Sequence, residues 1–162
     1  QRPRTDAGPL LPDQARRRLM PSGNAETVAG FWKDLYRRDW DAVASYFDAD
    51  SEYTDVPTPA DDVARGPQQI VRRLRIGLDP LANIGHDVLT VVADENAVVT
   101  EHVEHWEWPT GEKAALPFLS MQQMRAGKIV RWWDYWDLAT LMGAAPQWWI
   151  DQVMRDSAAT DS

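Results

Sequence analysis

Apolar residues recur along this chain in two rhythms, a helical one in the first half and an alternating one in the second. From Ala25 onward Val28, Phe31, Trp32, Leu35 and Tyr36 fall three and four apart, which predicts a helix with Asn24 as its N-cap. Val43, Ala44, Tyr46 and Phe47 predict a second, short helix, stopped by the acidic run Asp48 to Asp50, so the two helices pair as a hairpin. Ser51 to Val56 reads as a brief strand. Pro57, Pro59, Asp61 and Asp62 then form a loop, and Pro67 opens a helix that carries Ile70, Val71, Leu74 and Leu78. Period two takes over in segments 86–93, 96–108, 114–125 and 128–136. They are separated by the turns Asp94-Glu95, Pro109-Thr110-Gly111 and Ala126-Gly127, which makes a meander of long hairpins. Leu138 to Met142 and Trp148 to Met154 close the chain as short helices around Pro146.

Helices first and antiparallel strands after them imply an α+β domain, with three to four helices packed on one face of a curved, cone-shaped mixed or antiparallel sheet. The concave face of such a sheet lines a single deep pocket, and alternation tells which residues point into it. The chain's 162 residues suit one domain, placed at residues 25–156. Residues 1–24, with four Pro and two Gly among clustered Arg, read as a flexible arm, and residues 157–162 as a disordered tail.

Composition narrows the function. A hydrophobic share of 44% with nine Trp supplies ample core material. Seventeen basic against twenty-five acidic residues give a net charge of -8, which repels nucleic-acid phosphates and anionic lipid head groups, so neither nucleic acid nor membrane is expected as a partner. No window is long and apolar enough to span a bilayer, and the first residues lack a secretory apolar core; the reading is a soluble protein, with the cytoplasm as the default location. Zero Cys excludes disulfides, thiolate metal sites and a Cys nucleophile. Nucleotide loops, H-E-x-x-H and G-x-S-x-G are all missing, so no cofactor and no metal is expected. A metal set of His102, Glu104 and Asp134 has no supporting framework around it.

Candidate chemistry lies on two strands. Thr100, His102, Glu104, Trp106 and Trp108 share one face of their strand, and Val130, Trp132, Asp134 and Trp136 share one face of the last strand. A carboxylate flanked by indoles is costly to desolvate unless paired or protonated, which makes Asp134 the leading candidate acid or base. The plainer alternative is a rim Asp bonded to backbone amides. His102 and Glu104 lie two apart on one face and can share a network with an acid from a neighbouring strand; the alternative is a solvent-bridging His. Tyr53 and Asp55 point to one side by parity and can orient a water or a substrate oxygen, with a satisfied core Tyr as the alternative. His105 and Glu107 face outward or into a subunit interface.

The segment Glu52-Tyr53-Thr54-Asp55-Val56-Pro57, the strand Thr100-Glu101-His102-Val103-Glu104, the turn Pro109-Thr110-Gly111 and the stretch Gly127 to Leu138 together resemble the limonene-1,2-epoxide hydrolase family. That family lies within the SnoaL-like, nuclear-transport-factor-2-like superfamily, and the resemblance spans residues 25 to 142. Its most specific piece is the Trp-x-Asp-Tyr-aromatic-Asp block at 132 to 137. It implies a cone-shaped domain and cofactor-free catalysis in which Asp134 is the general base and Tyr53 holds the water. The other positions depart from the family pattern. Asp55 stands where Asn is expected, His102 where Arg bridges two acids, and Glu104 where the acid is Asp. The resemblance also places Trp106, Leu116, Phe118 and Trp136 on an apolar pocket wall, which suits a flat, hydrophobic, uncharged substrate. Trp132, Trp133, Trp148 and Trp149 read as sheet packing or a dimer seam.

The leading expectation is thus an epoxide hydrolase acting on a small terpenoid, aryl or steroid-like molecule in one acid–base step. Asp134 activates water held by Tyr53 and Asp55, Glu104 donates a proton, and His102, kept protonated among carboxylates, bridges the acids. The alternative is a dehydratase, isomerase or cyclase that uses His102 and Asp134 for proton transfer on a polyketide- or steroid-like substrate. A further alternative is a non-catalytic module that binds a hydrophobic ligand. A homodimer through the outer sheet face is expected in each case.

Overall fold

The computed structural model describes residues 23–159. Helix α1 (Gly23–Tyr36) buries Val28, Phe31, Trp32 and Leu35, the stripe its spacing predicts. It begins earlier than expected, so Asn24 is not a cap; its side chain instead donates to the Asp94 carbonyl at 3.0 Å. Helix α2 (Trp40–Ser45) is capped by Asp39, whose carboxylate accepts the Ala42 N–H at 3.2 Å. Strands β1 (Glu52–Asp55) and β2 (Ala64–Arg65) lead into α3 (Gly66–Leu78), which starts with Pro67 in its first turn. The four long strands follow as β3 (Asn83–Ala93), β4 (Ala97–Glu107), β5 (Lys113–Arg125) and β6 (Lys128–Trp136). The β5–β6 hairpin turns through Ala126 and Gly127, both at positive φ (50° and 75°), as a tight two-residue turn requires. Helices α4 (Leu138–Ala144) and α5 (Gln147–Ala158) close the domain. Ser157 and Ala158, expected in a disordered tail, form the end of α5; residues 1–22 of the expected arm and 160–162 lie outside the described residues.

The six strands form one curved sheet in the order β2-β1-β6-β5-β4-β3. All neighbours are antiparallel except β1 and β6, so the sheet is mixed. Helix α1 packs over β3 and β4, α3 over β1 and β2, and α4 over β5. The inner face is therefore covered and the outer one is not. Register sets four rows across the inner face: Asp55, Asp134, Ser120 and Thr100; Tyr53, Trp132, Gln122 and Val98; Trp136, Phe118, His102 and Val88; and Leu116, Glu104 and His86.

The ladder is interrupted twice, on β3 between Val88 and Thr90 and on β6, and the second interruption alters the expected alternation. Gln123 pairs with Arg131 but Met124 pairs with Ile129, so Val130 is the extra residue of a bulge. Ile129, fully buried, takes the inner position that strict alternation assigns to Val130. On the outer face Leu119 sits between Tyr135 and Glu101, and Met121 between Trp133 and Val99. His105 also faces out, 2.9 Å from Asp87, and Glu107 approaches Lys113 at 3.6 Å.

Candidate active site

Sheet register brings Asp134, Asp55, Tyr53, Trp132 and Ser120 together without any loop having to close over them. Asp134 is buried, and each carboxylate oxygen is engaged. Its Oδ1 accepts the Trp132 indole N–H at 2.6 Å and the Ser120 hydroxyl at 2.5 Å, while Oδ2 lies 3.1 Å from the Tyr53 hydroxyl. The Tyr53 hydroxyl is also 2.8 Å from Asp55 Oδ1, which accepts the Trp136 indole N–H at 3.0 Å. The two indoles flanking Asp134 in sequence thus serve different acids. Trp132 stacks on Tyr53 with centroids 4.0 Å apart, so a residue read from sequence as plain packing both supports the phenol and bonds the carboxyl.

A phenol has one proton to give, yet Tyr53 meets two carboxyl groups. With both acids ionised, one contact would set lone pairs against each other, so the trio closes only with one further proton on a carboxyl. Burial pushes the pKa of Asp134 well above the usual carboxylate range, and the nearby Asp55 charge adds to the effect. Burial also raises Asp55, against the hydrogen bonds from Tyr53 and Trp136 and the attraction of Arg73. Arg73 sits 6.0 Å from the Tyr53 ring centroid. The Tyr53 phenol is pushed up by burial and by both acids, which keeps it protonated.

His102 departs from its expected role. It does lie on the inner face, fully buried, but its ring reaches neither Glu104 nor Asp134. Nε2 is 3.0 Å from Ser120 Oγ, and Nδ1 is 3.0 Å from Nδ1 of His86. Burial and the neighbouring His86 lower its pKa from 6.5 to about 4, so it is neutral where the bridging reading needs a cation. Cross-strand register explains the difference: His102 stands opposite Phe118, with Ser120 on the diagonal between it and Asp134. The shorter imidazole ends at that hydroxyl.

Glu104 forms a second, separate centre. It accepts the Tyr36 hydroxyl at 2.7 Å and the Trp106 indole N–H at 2.8 Å. Burial raises its pKa from 4.5 to about 7, opposed by those two bonds. Of the expected wall residues, Leu116 is fully buried, Phe118 stacks on Trp136 with centroids 5.5 Å apart, and Trp106 packs edge-on against Trp108 and Trp149.

The expected single deep pocket is not open. A cleft of about 600 Å³ lies between α2, α3 and α5 beside Trp40, Val71, Arg75 and Asp156. A second, of about 550 Å³, runs over the β3–β5 edge beside Ile84, His105 and Lys113. Neither reaches Asp134. Trp32 and Tyr36 of α1 pack on the inner face beside the acids: the Trp32 ring lies 4.8 Å from His102 and 5.6 Å from Trp132, and the Tyr36 ring 4.5 Å from His86. Among the described residues no group of three or more His, Asp or Glu is placed to hold a metal ion, and no helix is long and apolar enough to cross a membrane.

Ser120, His86 and Tyr36 were not among the sequence candidates. Ser120 was detectable as a polar interruption of the inner series Ala114, Leu116, Phe118, and His86 as its counterpart between Ile84 and Val88. Tyr36 carries no such mark, since its ring continues the helix stripe and only its hydroxyl reaches the site.

The profile of the SnoaL-like domain family matches residues 28–132, the stretch that holds helix α1 through the Asp134 strand's first half. The chain belongs to the SnoaL-like domain family. Solved structures similar to this SnoaL-like chain include an epoxide hydrolase of M. tuberculosis described as limonene-epoxide-hydrolase-like. It is 20% identical, with a TM-score of 0.62, covering 85% of this chain and 93% of that one. A protein from Shewanella denitrificans OS-217, provisionally described as a SnoaL-like polyketide cyclase, is 17% identical with a TM-score of 0.67, covering 75% and 95%. IdmH of Streptomyces antibioticus, also provisionally a polyketide cyclase, is 18% identical with a TM-score of 0.64, covering 75% and 97%. At these identities the likeness is one of fold. No curated protein matches the chain.

Proposed function

We propose that this SnoaL-like chain is a cofactor-independent acid–base enzyme that moves protons on a small, hydrophobic, uncharged substrate, in cyclase, isomerase or dehydratase chemistry. The observation that carries this reading is the one-proton array Asp55–Tyr53–Asp134. It offers a protonated carboxyl as acid and a carboxylate as base on one phenol, in an aromatic setting, with one negative charge shared by the trio. Asp134 and Asp55 exchange the proton with a substrate carbon or oxygen, and Tyr53 steadies developing negative charge by its hydroxyl. The buried carboxyl groups of Glu104 and Asp134, the half-buried Asp55 and a neutral His102 disfavour an anionic substrate. Replacing Asp134 by Asn while testing enones, β-hydroxy carbonyls and polyene precursors for solvent deuterium uptake is the experiment; deuterium uptake by the wild type that survives Asp134→Asn would remove Asp134 from the mechanism.

Epoxide hydrolysis is the second reading, favoured by the juxtaposition of Tyr53 and Asp134 and by the mycobacterial neighbour. It ranks lower because no cation joins Glu104 to Asp134 to couple protonation of the ring oxygen to attack by water. We further propose a homodimer through the outer face, where Leu119 and Tyr135 lie side by side at 44% and 46% exposure. Sedimentation of the wild type as a dimer and of Leu119→Glu as a monomer is expected; a monomeric wild type would refute it.

A further inference from the structure

Asp134 is buried, so the solvent deuterium uptake expected above requires a path by which its proton exchanges with water. The structure provides one continuous line outward through ring and hydroxyl groups. Asp134 Oδ1 meets Ser120 Oγ at 2.5 Å, Ser120 Oγ meets His102 Nε2 at 3.0 Å, and His102 Nδ1 meets His86 Nδ1 at 3.0 Å. Ser120 and His102 are fully buried, whereas His86 is half-buried on β3, the edge strand, two residues from Val88, which is 49% exposed. Each member is amphoteric. A neutral imidazole donates at one nitrogen and accepts at the other, and a hydroxyl does both, so all the donors can point one way.

We propose that His86 is the proton port of the site and that His86, His102 and Ser120 form a relay between solvent and Asp134. In the inward direction, His86 Nε2 takes a proton from water, and its Nδ1 proton moves to Nδ1 of His102. The Nε2 proton of His102 moves to Ser120 Oγ as the hydroxyl proton of Ser120 moves to Asp134 Oδ1. One proton enters and one arrives; both imidazoles and the hydroxyl end neutral, with every donor reversed and the chain set to carry a proton back out. No cation is stored in the buried part, which agrees with the low basicity of His102 between His86 and the aromatic rings. The groups facing His86 are the rings of Trp32 and Tyr36, the His102 ring, Glu104 opposite it on β4 and the adjacent Asp87 charge, and burial outweighs the Asp87 charge to hold His86 below its usual pKa. An Arg at position 102 would be a fixed charge and could pass no proton. The departure from the epoxide hydrolase pattern at this position therefore gains a function of its own.

The relay's purpose rests on the acid–base reading above; its geometry and its test do not. The test is hydrogen exchange at the ring N–H of His102 in the full chain labelled with ¹⁵N-histidine, compared between wild type, His86→Phe and His86→Gln. The relay makes this fully buried proton exchange quickly in wild type and roughly tenfold or more slowly in both variants, because exchange then waits for local opening. A purely structural role predicts the opposite sign, since loosened packing speeds exchange. Unchanged or faster exchange in the variants overturns the proposal. His86→Gln, which keeps a polar side chain of similar reach, decides if His86→Phe does not fold. Failure to find any substrate would count against the proposed function and leave this result standing.

Discussion

The inner face of the sheet holds two buried acid centres built from the same materials and wired differently. Glu104 and Asp134 each accept an indole N–H two residues away along their own strand, and each meets a tyrosine hydroxyl. Around Glu104 the Tyr36 hydroxyl has no second carboxyl to serve and the indole cannot give up its proton, and burial, with a smaller push from the Asp55 charge, raises the carboxyl to about 7. Around Asp134 the phenol is shared with Asp55 and the remaining oxygen is joined to Ser120 and the two imidazoles. A buried acid with only fixed donors is a structural cost; one with exchangeable neighbours is a working group.

Removing the carboxyl at position 134 tests that contrast most strongly. Asp134→Asn is expected to lower turnover by roughly 10²–10⁴-fold with the circular dichroism spectrum unchanged, while Glu104→Gln lowers it far less. Stability reverses the ranking. A carboxyl whose folded pKa is raised leaves the folded state neutral while the unfolded chain ionises, so stability falls as pH rises from 4.5 to about 7 at Glu104. Glu104→Gln should therefore stabilise the protein near neutral to basic pH by up to about 3 kcal/mol, an advantage that disappears in acid when thermal melts are compared across pH. His102 works in the opposite direction. Its folded pKa is depressed, so the unfolded chain gains a proton first and stability is lost as pH falls from 6.5 to about 4. His102→Gln should flatten that acid limb, and an unaltered limb would refute a neutral His102. At position 55 the readout is spectroscopic: Asp55→Asn removes the like charge and lowers the pKa of Asp134, visible as a shift of its protonated-carboxyl infrared band to lower pH.

Sequence rhythm was enough to place the helices, the hairpins and the inward series on β4, because covered sheets alternate cleanly and this one is covered by helices on one side only. The same parity placed Tyr53, Asp55, Asp134 and Glu104 on the inner face. What alternation cannot carry is the distance between strands. The bulge at Val130 and the diagonal from His102 to Ser120 depend on β5 register, which sets the imidazole against a hydroxyl and not against Glu104. The closed chamber was hidden for a related reason. Trp32 and Tyr36 read as helix core, and they are, but the core they join is the site itself.

The most direct test of acid–base chemistry at Asp134 is incubation of the wild type and Asp134→Asn with epoxides, enones, β-hydroxy carbonyls and polyene precursors in water doubly labelled with ²H and ¹⁸O, read by mass spectrometry. The account predicts a wild-type product that carries deuterium without added ¹⁸O and is lost in Asp134→Asn. A labelled diol formed from an epoxide would contradict it and identify the site as one that adds water.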